Sequence, residues 1–139
     1  MILRLAALFL IAGLAAAGCA EPASRQLDES LQHVASNASS MTMLADAWCE
    51  GTVPLGYAVR TADRAQRNLG RLAESIESLN PVAADRREAA VRIARDLETS
   101  IEHAQEALVR GDRQAVRARL DELRLLESEA RRQAQDGAS

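Results

Sequence analysis

The sequence predicts an all-α fold: an up-down-up-down four-helix bundle behind a cleaved N-terminal segment, with a three-helix bundle or one with a broken first helix as alternatives. Three observations predict it. Apolar residues recur at spacings of three and four along most of the chain, the signature of helices that bury one face. No stretch alternates apolar and polar residues between turn clusters, as a strand would. Four periodic segments of matched length, over 24–50, 53–79, 86–110 and 113–136, are joined by short connections, which favours neighbouring helices that alternate in direction.

The first segment carries Leu27, Leu31, Val34, Ala38, Met41, Ala45 and Trp48 on one face, with Ser24 as its cap. Its weak point is Ser36-Asn37-Ala38-Ser39-Ser40, because Ser and Asn compete for backbone hydrogen bonds inside a helix. A break there would give the alternative bundle. Gly51 can close this helix, and Thr52 can cap the next with Pro54 in its first turn. The second segment, the cleanest, carries Leu55, Ala58, Ala62, Ala65, Leu69, Leu72, Ile76 and Leu79 before Asn80-Pro81 interrupts it.

Asp85-Arg86-Arg87-Glu88 has the form of a capping box for the third helix, with Asp in the Ser/Thr place. The third apolar face is Ala90, Ala94, Leu97, Ile101, Ala104 and Leu108. Gly111-Asp112 pairs a helix-closing glycine with an N-cap, a tight helical hairpin. Val116, Leu120, Leu123, Leu126 and Ala130 complete the fourth. The helix–Gly-Asp–helix form also occurs in tetratricopeptide repeats, but no 34-residue repeat accompanies it.

Ahead of the bundle, Met1 to Arg4 make a short positive start and Leu5 to Ala17 an uncharged apolar run. The run is shorter than the about 20 residues a bilayer span needs, so it reads as a secretory signal peptide. Its end, Leu14-Ala15-Ala16-Ala17-Gly18-Cys19, resembles the lipobox of bacterial lipoproteins. The resemblance covers residues 1–20 and implies cleavage between Gly18 and Cys19, lipidation of the Cys19 thiol and acylation of the new N-terminus. It implies a bilayer as the partner of acylated Cys19. Ala20, where Asp would retain the protein in the inner membrane, implies the periplasmic face of the outer membrane. The favoured Leu three places before the cysteine is Ala16 here, and Ala15-Ala16-Ala17 also reads as an ordinary A-x-A cleavage site. That cut would release a soluble periplasmic protein. The expected organisation is a lipoprotein signal peptide over 1–18, a short tether over 19–23 and a helical domain over 24–139.

The charged residues include 17 Arg and no Lys, and without Arg4 the remaining 16 Arg face 20 acids, a net charge near −4. That balance gives no reason to expect nucleic acid or an anionic membrane surface as partner. With one Phe, one Tyr and one Trp, the core must be built from Leu, Ala, Val and Ile.

Arg60, Arg64, Arg67 and Arg71 form a row at spacings of four, three and four. One reading is an anion-binding surface. The other is structural: a hairpin folded about residue 83 sets Arg60 against Glu106, Arg64 against Glu102 and Arg67 against Glu98, like the rim pairs of coiled coils. The match of three acids to three arginines favours rim pairing. His33 and His103 fall at outward heptad positions, so a metal or haem shared with Met41 or Met43 is not expected, and no haem-attachment or zinc motif is present. No cofactor is expected. Cys49, beside Trp48, reads as a small buried hydrophobe. Alternatively, it could bridge two chains in an oxidising periplasm, which leaves a homo-oligomer open. It cannot pair with Cys19 across the first helix, since a disulfide needs Cα atoms within about 7 Å.

No nucleophile elbow or phosphate loop appears, and an enzyme is not expected. The expected role is a structural or interaction module of the cell envelope. Trp48, Cys49 and the arginine row are the candidate contacts for an unidentified envelope protein. The runner-up is a small bundle binding an apolar or anionic ligand, with Ala58, Ala62 and Ala65 lining a gap.

Overall fold

The computed structural model describes residues 22–139 in full, and they form a helical bundle. Its helices are α1 (Ile2–Cys49), α2 (Leu55–Glu77), α3 (Ala84–Val109) and α4 (Arg113–Gly137). The expected signal peptide, the Gly18-Cys19 cleavage and Cys19 lipidation all lie outside the described residues. Of the expected tether, Pro22 and Ala23 are described, and both are helical. Ser24 is therefore inside α1 and does not cap it. Pro22 lies inside the helix, and Ala23 is buried.

The first helix is continuous through Ser36–Ser40. Within it, Asn37 Nδ2 donates to the His33 carbonyl one turn back at 2.9 Å, so its amide bonds along the helix without interrupting it. Buried Val34, Ala35, Ala38 and Met41 hold the opposite side in the core, and that packing outweighs propensity.

Gly51 (φ +80) and Gly111 (φ +68) take the left-handed conformation that closes α1 and α3. At each, the glycine N–H and the next N–H bond back to the last-turn carbonyls, Trp48 and Ala47 in one case, Leu108 and Ala107 in the other. This is the Schellman closure. It claims Thr52, whose hydroxyl donates to the Ala47 carbonyl at 2.9 Å. Thr52 thus finishes α1 and does not cap α2, whose N-cap is Pro54 without a side-chain bond. The capping box at Asp85–Glu88 does not form either. The third helix starts at Ala84, which places Asp85 in the first turn, where a carboxylate favours the free N–H groups. Asp112 does cap α4, accepting from the Ala115 N–H at 3.0 Å.

Packing is most extensive between α1 and α4 and between α2 and α3. The third helix also meets α4, and α1 meets α2; α1 and α3 touch across the centre, while α2 and α4 do not. The main core runs from Val34 to Trp48 on α1, past Ala58–Ala73 and Ile93–Leu108, to Val116–Ala130. A smaller cluster of Leu27, Leu31, Ile76, Leu79, Ala90 and Ala134 seals the other end. There Arg86 donates to Asp28 at 2.6 Å and to the Gln133 carbonyl at 3.3 Å, joining α1, α3 and α4. Further interhelical ion pairs join Arg92 to Glu129 at 2.8 Å and Arg124 to Asp46 at 3.3 Å. Among the described residues, none of the interhelical ion pairs involves α2.

Candidate functional site

On α2 the buried residues are Ala58, Ala62, Ala65, Leu69, Ala73 and Ile76. The arginine row trails the first four of these by two residues, which on a helix is about 200°. The row therefore points away from the bundle, and Arg60, Arg64, Arg67 and Arg71 are all exposed. Rim pairing with α3 is thereby overturned. The flank of α2 that meets α3 holds Gln66, whose amide donates to Gln105 Oε1 at 2.7 Å, and Val59, whose carbonyl accepts from Gln105 Nε2 at 3.4 Å. Gly70 lies there too, with Glu98 across from it. The axial register read from the hairpin was close, but the azimuth was wrong. Glu98 pairs instead with Arg95 on its own helix at 3.0 Å.

The row is only partly satisfied. Arg67 pairs with Asp63 one turn back, and Arg71 donates to Asn68 Oδ1 at 2.6 Å. Among the described residues, Arg60 and Arg64 have no hydrogen bond or ion pair partner. The four guanidiniums extend over roughly 16 Å of helix axis, and between Leu55 and Ala73 the only acid is Asp63.

Beside this row, α1 presents a second one. His33, Ser36, Ser40 and Met43 are exposed at spacings of three, four and three, with Met43 70 % accessible. The stretch Ser30–Ala45 contains no Asp, Glu, Arg or Lys. An open groove of about 370 Å³, lined by His33, Asn37, Asn68, Arg71 and Leu72, joins the His33 end of α1 to α2, whereas Ser36 borders α4 beside Arg131 and Gln135. Tyr57, 54 % exposed, stands one turn before Arg60. The α1/α2 surface is thus cationic and hydroxyl-bearing on a chain that is acidic as a whole.

Trp48 and Cys49 belong to the core and not to this surface. Trp48 is buried under the Arg113 guanidinium, 5.7 Å from the ring centroid, a cation–π contact. Cys49 is buried and unpaired, its thiol directed at the Arg113 carbonyl at 3.8 Å. Burial is the main cause that pushes the thiol pKa up, with Asp46 adding to it and Arg117 and Arg113 opposing. Such a thiol is a poor nucleophile and is not presented for a bridge between chains. Ala58, Ala62 and Ala65 are packed in the main core, where their small size lets helices approach. His103 is exposed on α3, and among the described residues no three or more His, Cys, Asp or Glu gather where a metal could sit.

Sequence reasoning found the arginine row but turned it the wrong way, and it missed the uncharged row on α1. The signal for the first was present: the two-residue offset from the alanine stripe already puts the row opposite the core. No protein-family model matches the chain, and no curated protein or solved structure is similar to it.

Proposed function

We propose that this chain is a bacterial envelope lipoprotein, anchored through acylated Cys19 at the periplasmic face of the outer membrane. Its role is that of a non-enzymatic interaction module. In this reading the helices run up-down-up-down, and the bundle serves to present the α1/α2 surface to an anionic partner. The observation that carries it is the outward arginine row: among the described residues two of its four guanidiniums have no partner, and between Leu55 and Ala73 only Asp63 opposes them. Arginine that is neither buried nor paired adds little to stability but is well suited to carboxylate or phosphate recognition. Support for the address comes from the apolar run ending in Gly18-Cys19. Support for alternating helices comes from partners whose numbers fall on one helix as they rise on the next. Cys49 meets Arg113, Asp46 meets Arg124 and Asp28 nears Gly137.

Mass spectrometry of the N-terminal peptide from the membrane fraction tests the anchor. The expected product begins at Cys19 and carries the mass of a diacylglyceryl thioether plus an amide-linked acyl chain. Cys19→Ser should leave the precursor unprocessed. A mature, unlipidated N-terminus at Gly18 would overturn the anchor and indicate the A-x-A cut.

A further inference from the structure

We infer that the α1/α2 surface lies on the anionic phospholipid headgroups of the membrane that holds the anchor, so that the bundle rests on its side. This inference depends on the lipoprotein reading for the anchor, but the face is argued independently. Carried along α1 and α2 from the His33–Arg71 groove, the register sets Ser40 level with Arg64 and Met43 level with Thr61. The result is a strip of guanidiniums beside the uncharged stretch of α1. Tyr57 and Met43 are exposed within it. That composition suits a headgroup layer: arginine for phosphate, a tyrosine of amphipathic character and an apolar side chain at interface depth. The groove between the two helices is open, which suits a layer of headgroups better than a deeply inserted side chain. Along α2 from Tyr57 to Arg71 four arginines face one acid, Asp63, which pairs with Arg67, and Glu74 follows at the end of the row.

The anchor makes a modest attraction sufficient. Three residue steps separate Cys19 from Pro22, at most about 11 Å of chain. Contact with the surface is then an intramolecular event at high effective concentration. The lipid holds the protein on the membrane, and the arginines set how it lies there. Each arginine near an anionic surface shifts that equilibrium about fivefold at moderate salt, and screening weakens it as salt rises.

The test uses the lipidated full-length protein, with Cys49→Ala, reconstituted in vesicles of phosphatidylcholine alone or mixed with phosphatidylglycerol. A fluorophore is attached at Ser40→Cys on the proposed face or at Leu125→Cys on the outer side of α4, and quenching by headgroup spin labels is read. The expected result is stronger quenching at position 40 than at 125 only when phosphatidylglycerol is present. High salt should abolish the difference, and Arg60→Gln with Arg64→Gln should reduce the oriented-to-free ratio at least about tenfold. Equal quenching at both positions, or a difference indifferent to lipid charge or to the two arginines, overturns the proposal. So does cross-linking of position 40 to a second copy at the expense of quenching. Flotation with neutral vesicles reads the anchor alone, and its loss overturns the lipoprotein reading. In that case arginine-dependent flotation with phosphatidylglycerol vesicles still decides the face, its absence counting against it.

Discussion

Replacing Trp48 by alanine should be among the most damaging single changes in this bundle. Trp48 is 8 % exposed and closes the main core where α1 ends. A buried aromatic truncated to alanine costs about 3–5 kcal/mol, made up of lost transfer energy and the cavity left behind. The contact with Arg113 adds about 0.5–1 kcal/mol at a site this close to solvent. Against a total of about 5–15 kcal/mol for a domain, the loss is a large fraction. Because Trp48 is the only tryptophan, unfolding should be followed by far-ultraviolet circular dichroism in urea. With m of about 1–3 kcal/mol/M, the midpoint should fall by about 2 M. Arg113→Ala separates the contributions, since it removes the cation and leaves the ring, and should cost no more than about 1 kcal/mol. A Trp48→Ala loss below about 1 kcal/mol would refute the claim that this ring plugs the bundle.

Four further outcomes are expected. The Cys49 thiolate is disfavoured in the folded state, so above the ordinary thiol value of 9.0 the unfolded chain releases its proton first and stability falls with rising pH. Cys49→Ala should remove that component of the decline, and urea midpoints whose wild-type-to-variant difference is flat in pH would contradict it. The buried Ser100 hydroxyl has no hydrogen-bond partner among the described residues, so Ser100→Ala should raise stability by about 1 kcal/mol, and a lowered melting temperature would argue for an unseen partner. A Cβ at Gly137 would overlap the Arg86 guanidinium and the Asp28 carboxylate. Gly137→Ala should therefore cost about 1–2 kcal/mol and combine non-additively with Asp28→Asn, whereas additive melting shifts would deny the coupling. Arg60→Gln with Arg64→Gln should change stability by no more than about 0.5 kcal/mol, and a larger loss in thermal melts would restore the rim pairs with α3.

The helices and their buried faces were legible because spacing at three and four residues reports directly on which side of a helix avoids water. All the apolar positions named for the first, third and fourth helices are buried, and on the second only Leu55 and Leu72 fall short. Cap positions were less legible. Thr52 and Asp85 have the chemistry of N-caps, but the helix boundary decides whether that chemistry is used, and each boundary shifted by two residues. The arginine row shows a different limit. Pairing across a hairpin depends on height along the axis and on direction around it, and matching residue numbers constrains only the height. The uncharged row on α1 is hidden in the sequence because Ser36 and Ser40 signal only low helix propensity there. Their role becomes visible only when the neighbouring helix is beside them.

The most extensive packing in this bundle joins the helix nearest the N-terminus to the one nearest the C-terminus. A chain emerging N-terminus first therefore exposes most of the apolar face of α1 long before α4 exists to cover it, and of the pairings between consecutive helices the α2–α3 hairpin is the most extensive. Closure waits for the last quarter of the chain, which lengthens the time during which Leu27, Leu31, Val34 and Met41 are open to solvent. Long-range contacts of this kind slow folding and expose intermediates to aggregation. The fold thus combines fast helices with a late seam, and truncation within α4 should be more harmful than its exposed polar surface suggests.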